Sequence, residues 1–103
     1  MQLDKLEIEI IALARYIKEN NVIDLSNDPV VKNSCSVFYE SFKDYFDPWV
    51  GFVDCKAEIR NNTLVVVGVC LITLSGEPDG TFYKYPDLAA VRLDSLALIW
   101  LVP

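Results

Sequence analysis

The stretch that decides the fold reads VDCKAEIR at residues 53–60, NN at 61–62 and TLVVVGVCLITL at 63–74. Apolar and charged residues alternate without a break through 53–60, which is typical of a β-strand with one buried face and one wet face. Asparagine tolerates positive φ, so Asn61-Asn62 predicts a tight hairpin turn. Residues 63–74 are apolar on both faces, which predicts an interior strand or one whose second face meets another body. With this turn, Cys55 is expected to pair with Gly68 and Val53 with Cys70.

The residues before the hairpin have a helical period instead. A helix over about 2–19 is predicted from apolar residues that recur at steps of three and four, namely Leu3, Leu6, Ile10, Leu13 and Ile17. Asn20-Asn21 supplies a stop signal. Ser26-Asn27-Asp28-Pro29 predicts a short helical turn, and Ser36 predicts a second start that leads through Phe46 to a break at Asp47-Pro48.

The residues after the hairpin predict two more strands. Residues 75–80 have the composition of a loop, 81–85 read as a strand, and Pro86-Asp87 reads as a break. Residues 90–102 are interpreted as a strand, with a helix as the alternative. The order predicts one α+β domain over 1–103, with two N-terminal helices on one face of a four-stranded antiparallel meander. The first helix is expected to lie across Val53, Cys55, Ala57 and Ile59.

The composition indicates a packed, acidic domain. The chain has 103 residues, 52% of them hydrophobic, and 9 basic against 15 acidic residues give a net charge of −6. The nine cations are scattered singly, so we expect no direct nucleic-acid binding and favour a protein partner with a basic surface. Residues 1–7 lack the pattern of a signal peptide, and the apolar residues 96–102 are too few to span a bilayer. These features predict a cytoplasmic protein without a membrane segment.

Motifs that would indicate catalysis are missing from the sequence. The chain has no histidine, the commonest general base and zinc ligand, and its four glycines form no phosphate-binding loop. The three cysteines, Cys35, Cys55 and Cys70, lack the paired spacing of zinc sites and are interpreted as small buried hydrophobic residues. We therefore predict a protein that is not an enzyme and uses no cofactor or metal.

Acidic and aromatic residues concentrate near the second helix. Glu40, Asp44 and Asp47 fall at i, i+4 and i+7, so they are expected to line one side of that helix as a solvated face or as a rail for a basic partner. Seven aromatic residues lie between positions 38 and 52. They could form the core, a pocket or a protein interface. The predicted protein-binding residues are Glu40, Asp44, Asp47, Tyr39, Tyr45 and Trp49.

Two functions follow from these observations. The leading hypothesis is a small adaptor or inhibitor that binds a protein target, such as a nucleic-acid-handling enzyme of a host. The alternative is a small-molecule-binding or carboxylate-using enzyme domain. Its pocket would be shaped as in cystatin-like or nuclear-transport-factor-like folds and lined by Tyr45, Trp49, Tyr83 and Asp54. The second face of residues 65–69 also predicts a homodimer, unless the C-terminal strand and Trp100 cover its valines.

Overall fold

Two helices precede five strands in the computed structural model, which describes residues 3–47, 50–73 and 80–102. Both helices pack on one face of an antiparallel sheet, so the predicted α+β fold is confirmed. The expected position of the first helix across residues 53–59 is wrong, because the second helix packs there and the first packs on the strands at 87–92 and 98–101. The elements in chain order are α1 (Leu3–Asn20), α2 (Pro29–Phe42), a 3-10 turn (Lys43–Tyr45), β1 (Gly51–Arg60), β2 (Thr63–Thr73), β3 (Thr81–Lys84), β4 (Asp87–Arg92) and β5 (Leu98–Leu101).

Strand β2 lies at the centre of the sheet. β1 pairs along one side of it, and β3 and β4 pair one after the other along its second side, with β5 outside β4. At the break between β3 and β4, the N–H of Gly68 still donates to the carbonyl of Pro86 at 2.8 Å. The predicted break at Pro86-Asp87 is therefore an interruption within one line of strands. The predicted single strand over 90–102 is instead the end of β4, a turn in which Leu96 has a φ of 54°, and β5.

The hairpin between β1 and β2 forms as predicted, with φ of 47° at Asn61 and 59° at Asn62, and Cys55 pairs with Gly68. The predicted pairing of Val53 with Cys70 is wrong, because Phe52 occupies that position. A β-bulge between Phe52 and Asp54 inserts one extra residue. It turns the large Phe52 ring into the core and leaves Val53 49% exposed.

The helices begin and end at identifiable signals. After α1, Asn21 has a φ of 48°, and the N–H of Val22 donates to the carbonyl of Ile17 at 3.1 Å, which satisfies an end carbonyl. Asp28 caps α2, because its Oδ1 accepts the N–H groups of Val30 and Val31 at 2.9 and 3.1 Å. The Asp28 cap therefore opens a full helix that runs through Ser36 and ends at Phe42, so the predicted short turn and second start were wrong.

The main core lies between the helices and the sheet. It contains the stripe of α1 together with buried residues of α2, β1, β2 and β4, namely Leu6, Ile10, Leu13, Ile17, Val31, Phe38, Phe42, Phe52, Leu64, Val66, Leu88 and Val91. Gly68 leaves room for the Phe52 ring, since a Cβ there would lie 3.1 Å from it. This packing fixes the end of α2 against the start of β1 and so positions the surface described next.

Candidate protein-binding surface

Most of the aromatic cluster belongs to the core. Phe38 and Phe42 are fully buried, and Phe52 is also buried. Phe52 is stacked between two other rings, with centroid distances of 5.2 Å to Tyr39 and 4.3 Å to Phe46. This three-ring stack joins α2 and the segment after it to β1. These five aromatic residues therefore belong to the core and not to a pocket or a protein interface.

Among the residues that the structure describes, Tyr45 is the most exposed member of this cluster. Its side chain is 38% exposed, and its ring packs tilted against Phe42 with the centroids 6.5 Å apart. Tyr39, also predicted to bind a partner, is half-buried. Trp49, the third predicted aromatic site residue, lies outside the described residues. The core thus holds one edge of Tyr45 and leaves the other to solvent.

The three predicted acidic residues are all exposed but do not line one side of a helix. Because α2 ends at Phe42, Glu40 is helical, Asp44 lies in the 3-10 turn and Asp47 follows that turn. Lys43 forms an ion pair with Glu40, and this hydrogen bond raises the pKa of the lysine. We call Glu40, Asp44, Tyr45 and Asp47 the acidic-aromatic surface. With Lys43 it carries three carboxylates against one ammonium, a local charge of −2.

The second face of β2 forms a separate, smaller buried cluster. Val65 is 5% exposed and Val67 is 0% exposed, although both point away from the helices. Arg60 of β1 reaches across β2, where its Nη1 lies 2.9 Å from Oδ2 of Asp87 on β4. Lys56 Nζ lies 4.7 Å from the ring centroid of Tyr85, beyond β2 on the β4 side. The aliphatic stems of these two cations therefore lie over the valines.

We call Lys56, Glu58, Arg60, Tyr85 and Asp87 the charged cover. Glu58 joins its two cations, at 3.3 Å from Lys56 and 2.9 Å from Arg60, and its hydrogen bond with Arg60 lowers the pKa of the glutamate. The valines are thus covered from within the chain. Trp100 pairs with Ala90 on β4, and Ala90 pairs in turn with Val65, so the side chain of Trp100 lies on this same face of the sheet. The sequence shows the alternating charges of 53–60. It does not show that Lys56 and Arg60 extend across β2, because this depends on which strand pairs with the other side of β2.

The residues predicted to line a pocket under the alternative function do not lie around one cavity. Asp54 is exposed and lines a groove of ≈ 530 Å³ between β1 and α2, whose lining includes neither Tyr45 nor Tyr83. Tyr83 is exposed on β3 and stacks on Tyr85 with the ring centroids 6.2 Å apart. The Oδ1 of Asp54 accepts the N–H of Cys55 at 2.8 Å. Asp54 and the two tyrosines therefore do not converge on one cavity.

The cysteines are buried and unpaired. Burial raises the pKa of Cys35 to about 11 and also raises the pKa of Cys55 and of Cys70, so all three remain protonated thiols near neutral pH. Their placement in the core confirms the interpretation as small hydrophobic residues.

Metal-binding geometry, helix length and comparison with known proteins add no further assignment. Across residues 3–47, 50–73 and 80–102, no group of His, Cys, Asp and Glu is placed to hold a metal ion. Within the same ranges, the helices are too short or too polar to cross a membrane. No family model, no curated protein and no solved structure matches the chain.

Proposed function

We propose that this chain is a small protein-interaction module without enzymatic activity, an adaptor or inhibitor that binds the basic surface of a protein target. The observation that supports it is Tyr45, a half-exposed phenol held against the core and flanked in sequence by the exposed carboxylates of Asp44 and Asp47. A rigid tyrosine loses little conformational entropy on binding, and such rings often carry the binding energy of an interface.

The charge of the surface fits the proposed partner. Carboxylates accept hydrogen bonds from Arg and Lys side chains, and an Arg guanidinium also stacks on a phenol ring. The net charge of −6 would attract a basic protein over a longer range and raise the association rate. A nucleic-acid-handling enzyme, whose substrate groove is basic, is the class of target that this charge favours. The proposal also places the module in the cytoplasm, where its three unpaired thiols would stay reduced.

The test is affinity capture from the source cells with the tagged chain, after nuclease treatment, using two variants of equal charge. Asp44→Lys with Asp47→Lys adds +4 and takes the net charge from −6 to −2. Asp4→Lys with Glu19→Lys makes the same change at exposed positions near the two ends of α1. The helix dipole affects these two control substitutions in opposite directions, so their effects on stability largely offset each other.

A protein that is retained by the wild type and by the α1 control, but lost with the Asp44 and Asp47 variant, supports the proposal. Equal loss with both variants would show that only the overall charge matters and would reject this surface as the site. With the purified partner, Tyr45→Ala should weaken binding about tenfold or more if the ring is an anchor. Titration calorimetry at two salt concentrations separates this loss from the salt-dependent contribution of the carboxylates.

Homodimerisation, which the sequence predicts, remains part of the proposal. The second face of β2 does not provide the interface, because Val65 and Val67 are already buried beneath the charged cover. A dimer therefore needs another surface, and the open edge of the sheet offers one.

A further inference from the structure

One edge of the sheet is a long strand without a neighbour. β1 has ten residues and pairs with β2 on one side, while no other described strand pairs with it. An unpaired edge presents a row of backbone donors and acceptors that another extended chain can use. Such an edge is a potential interface whose occupant depends on its side chains.

The hydrogen-bonding direction of β1 identifies the backbone groups on this edge. In an antiparallel pair, residues alternate between bonding to the neighbour and pointing away from it. Gly68 donates its N–H to Pro86 and so points away from β1, which means that its partner Cys55 points away from β2. Ala57 and Ile59 share this direction with Cys55. In agreement, the N–H of Cys55 donates to the neighbouring Asp54 carboxylate at 2.8 Å and not to β2, and a partner strand would take over this donor.

The charges along the outer face of β1 complement themselves when the strand is reversed. They run Asp54, Lys56, Glu58, Arg60, which is negative, positive, negative, positive. With a two-fold axis at Ala57, Asp54 of each copy lies opposite Arg60 of the other. In the same register, Lys56 of each copy lies opposite Glu58 of the other. All four charges are thus matched in both copies, and opposite charges directly across a strand pair stabilise it. Within the single chain, Lys56 and Arg60 contact the other members of the charged cover, so dimer formation exchanges these exposed, weak ion pairs for pairs across the axis.

Other registers are less favourable. The outward backbone groups of both copies must face each other, so the axis can pass only through a residue and not between two. An axis at Lys56 places Lys56 opposite itself and Asp54 opposite Glu58. An axis at Glu58 places Glu58 opposite itself and Lys56 opposite Arg60. An axis at Cys55 or at Ile59 matches only two opposite-charge pairs instead of four. The charge pattern therefore selects the register centred on Ala57.

The inner face of the edge has room for the partner's side chains. In the register centred on Ala57, Ile59 of the second copy lies opposite Cys55. Cys55 lines the groove of ≈ 530 Å³ that opens beside β1, together with Leu25 and Val31. Ile59 is 39% exposed in the single chain, and pairing would place it against this apolar lining. The small side chain of Ala57 faces its own copy across the axis.

We propose that β1 is the interface of a homodimer, in which two copies pair antiparallel about Ala57 and join their sheets into one. This two-fold arrangement is isologous, so it closes after two copies and leaves no second β1 edge. The inference concerns a different surface from the acidic-aromatic surface and does not depend on the function proposed for it.

The first variant tests the charge register. Lys56→Glu converts two of the four opposite-charge pairs into like-charge pairs and should raise the dimer Kd about tenfold or more in sedimentation velocity over a concentration series. Lys56→Glu with Glu58→Lys restores all the opposite pairs and should restore the dimer. Lys84→Glu, an equal charge change on β3 at an exposed site, should leave the Kd unchanged.

The second variant tests the backbone pairing. Ala57→Pro removes an N–H that points away from β2, so the hairpin keeps its own hydrogen bonds while the partner strand loses one at the axis. Circular dichroism checks that the variant folds, and it should be monomeric. In the wild type, amide exchange at Ala57 and Ile59 should slow as the protein concentration rises.

A wild type that stays monomeric throughout the concentration series would overturn the proposal. This holds even if an added extended peptide of another sequence protects the amides of Ala57 and Ile59 from exchange. A dimer that persists unchanged in both Lys56→Glu and Ala57→Pro would place the interface elsewhere and would overturn it as well.

Discussion

Val67→Ala tests whether the outer face of β2 is a second core beneath the charged cover. Val67 is 0% exposed, so the substitution removes two buried methyl groups and leaves a small cavity. At about 0.8 kcal/mol for each buried methyl-sized group, plus the cavity, the free energy of unfolding should fall by about 1.5–3 kcal/mol. Val69→Ala, on the same face of the same strand but partly exposed, is the matched control and should cost less than about 1 kcal/mol.

Urea denaturation followed by circular dichroism measures both variants, with equal slopes required for the comparison. Each kcal/mol corresponds to a shift in Tm of about 4–8 °C for a domain of this size. Arg60→Ala removes the stem that lies over the valines, so Val67→Ala should cost less in that background. Arg60→Met keeps an apolar stem without the charge and should preserve most of the cost, because an exposed ion pair contributes only about 0–1 kcal/mol. Equal costs for Val67→Ala and Val69→Ala would refute the covered cluster.

Three further predictions concern the core, the pH dependence and the thiols. Phe42→Ala should cost about 3–5 kcal/mol in urea denaturation, whereas Tyr45→Ala should cost less than half as much because its ring is partly exposed. The hydrogen bond with Arg92 lowers the pKa of Asp94 to about 2, below its value of about 3.9 in an unfolded chain. The Asp94 carboxylate therefore stabilises the fold fully above the unfolded pKa, and this contribution is lost as the pH falls through about 2. Asp94→Asn should thus be less stable than the wild type at pH 6, and the two should converge near pH 2 when their unfolding midpoints are compared. Finally, Cys35, Cys55 and Cys70 should react with an aromatic disulfide reagent only as fast as the chain unfolds, and all three thiols should react in denaturant.

The order and type of the elements could be predicted because local signals were consistent. The helical stripe of α1, the Asn61-Asn62 turn and the alternation through 53–60 each depend on neighbours within a few residues. The boundaries of α2 could not be predicted, since Asp28 and Ser36 are both acceptable caps. Only the packing of Val31 and Cys35 against β1 favours a start at Asp28. The turn at Leu96 carries no sequence signal, because leucine rarely adopts positive φ.

The candidate surfaces were predicted only in part. The exposure of Glu40, Asp44 and Asp47 follows from their charge, but their arrangement depends on the end of α2 at Phe42. Because of the bulge at Val53, the Phe52 ring points into the core, where it stacks on Tyr39 and Phe46. A bulge inserts one residue without a distinctive composition, so period-two alternation alone does not reveal it. The cover over Val67 likewise depends on long-range pairing of β2 with β4.

The measurement that tests the proposed function most directly is binding of the captured protein to the Asp44→Lys and Asp47→Lys variant beside the Asp4→Lys and Glu19→Lys control. The acidic-aromatic surface predicts that the first variant loses the partner while the control, with the same net charge of −2, retains it. Undiminished binding by the first variant would contradict the proposal that this surface meets the target.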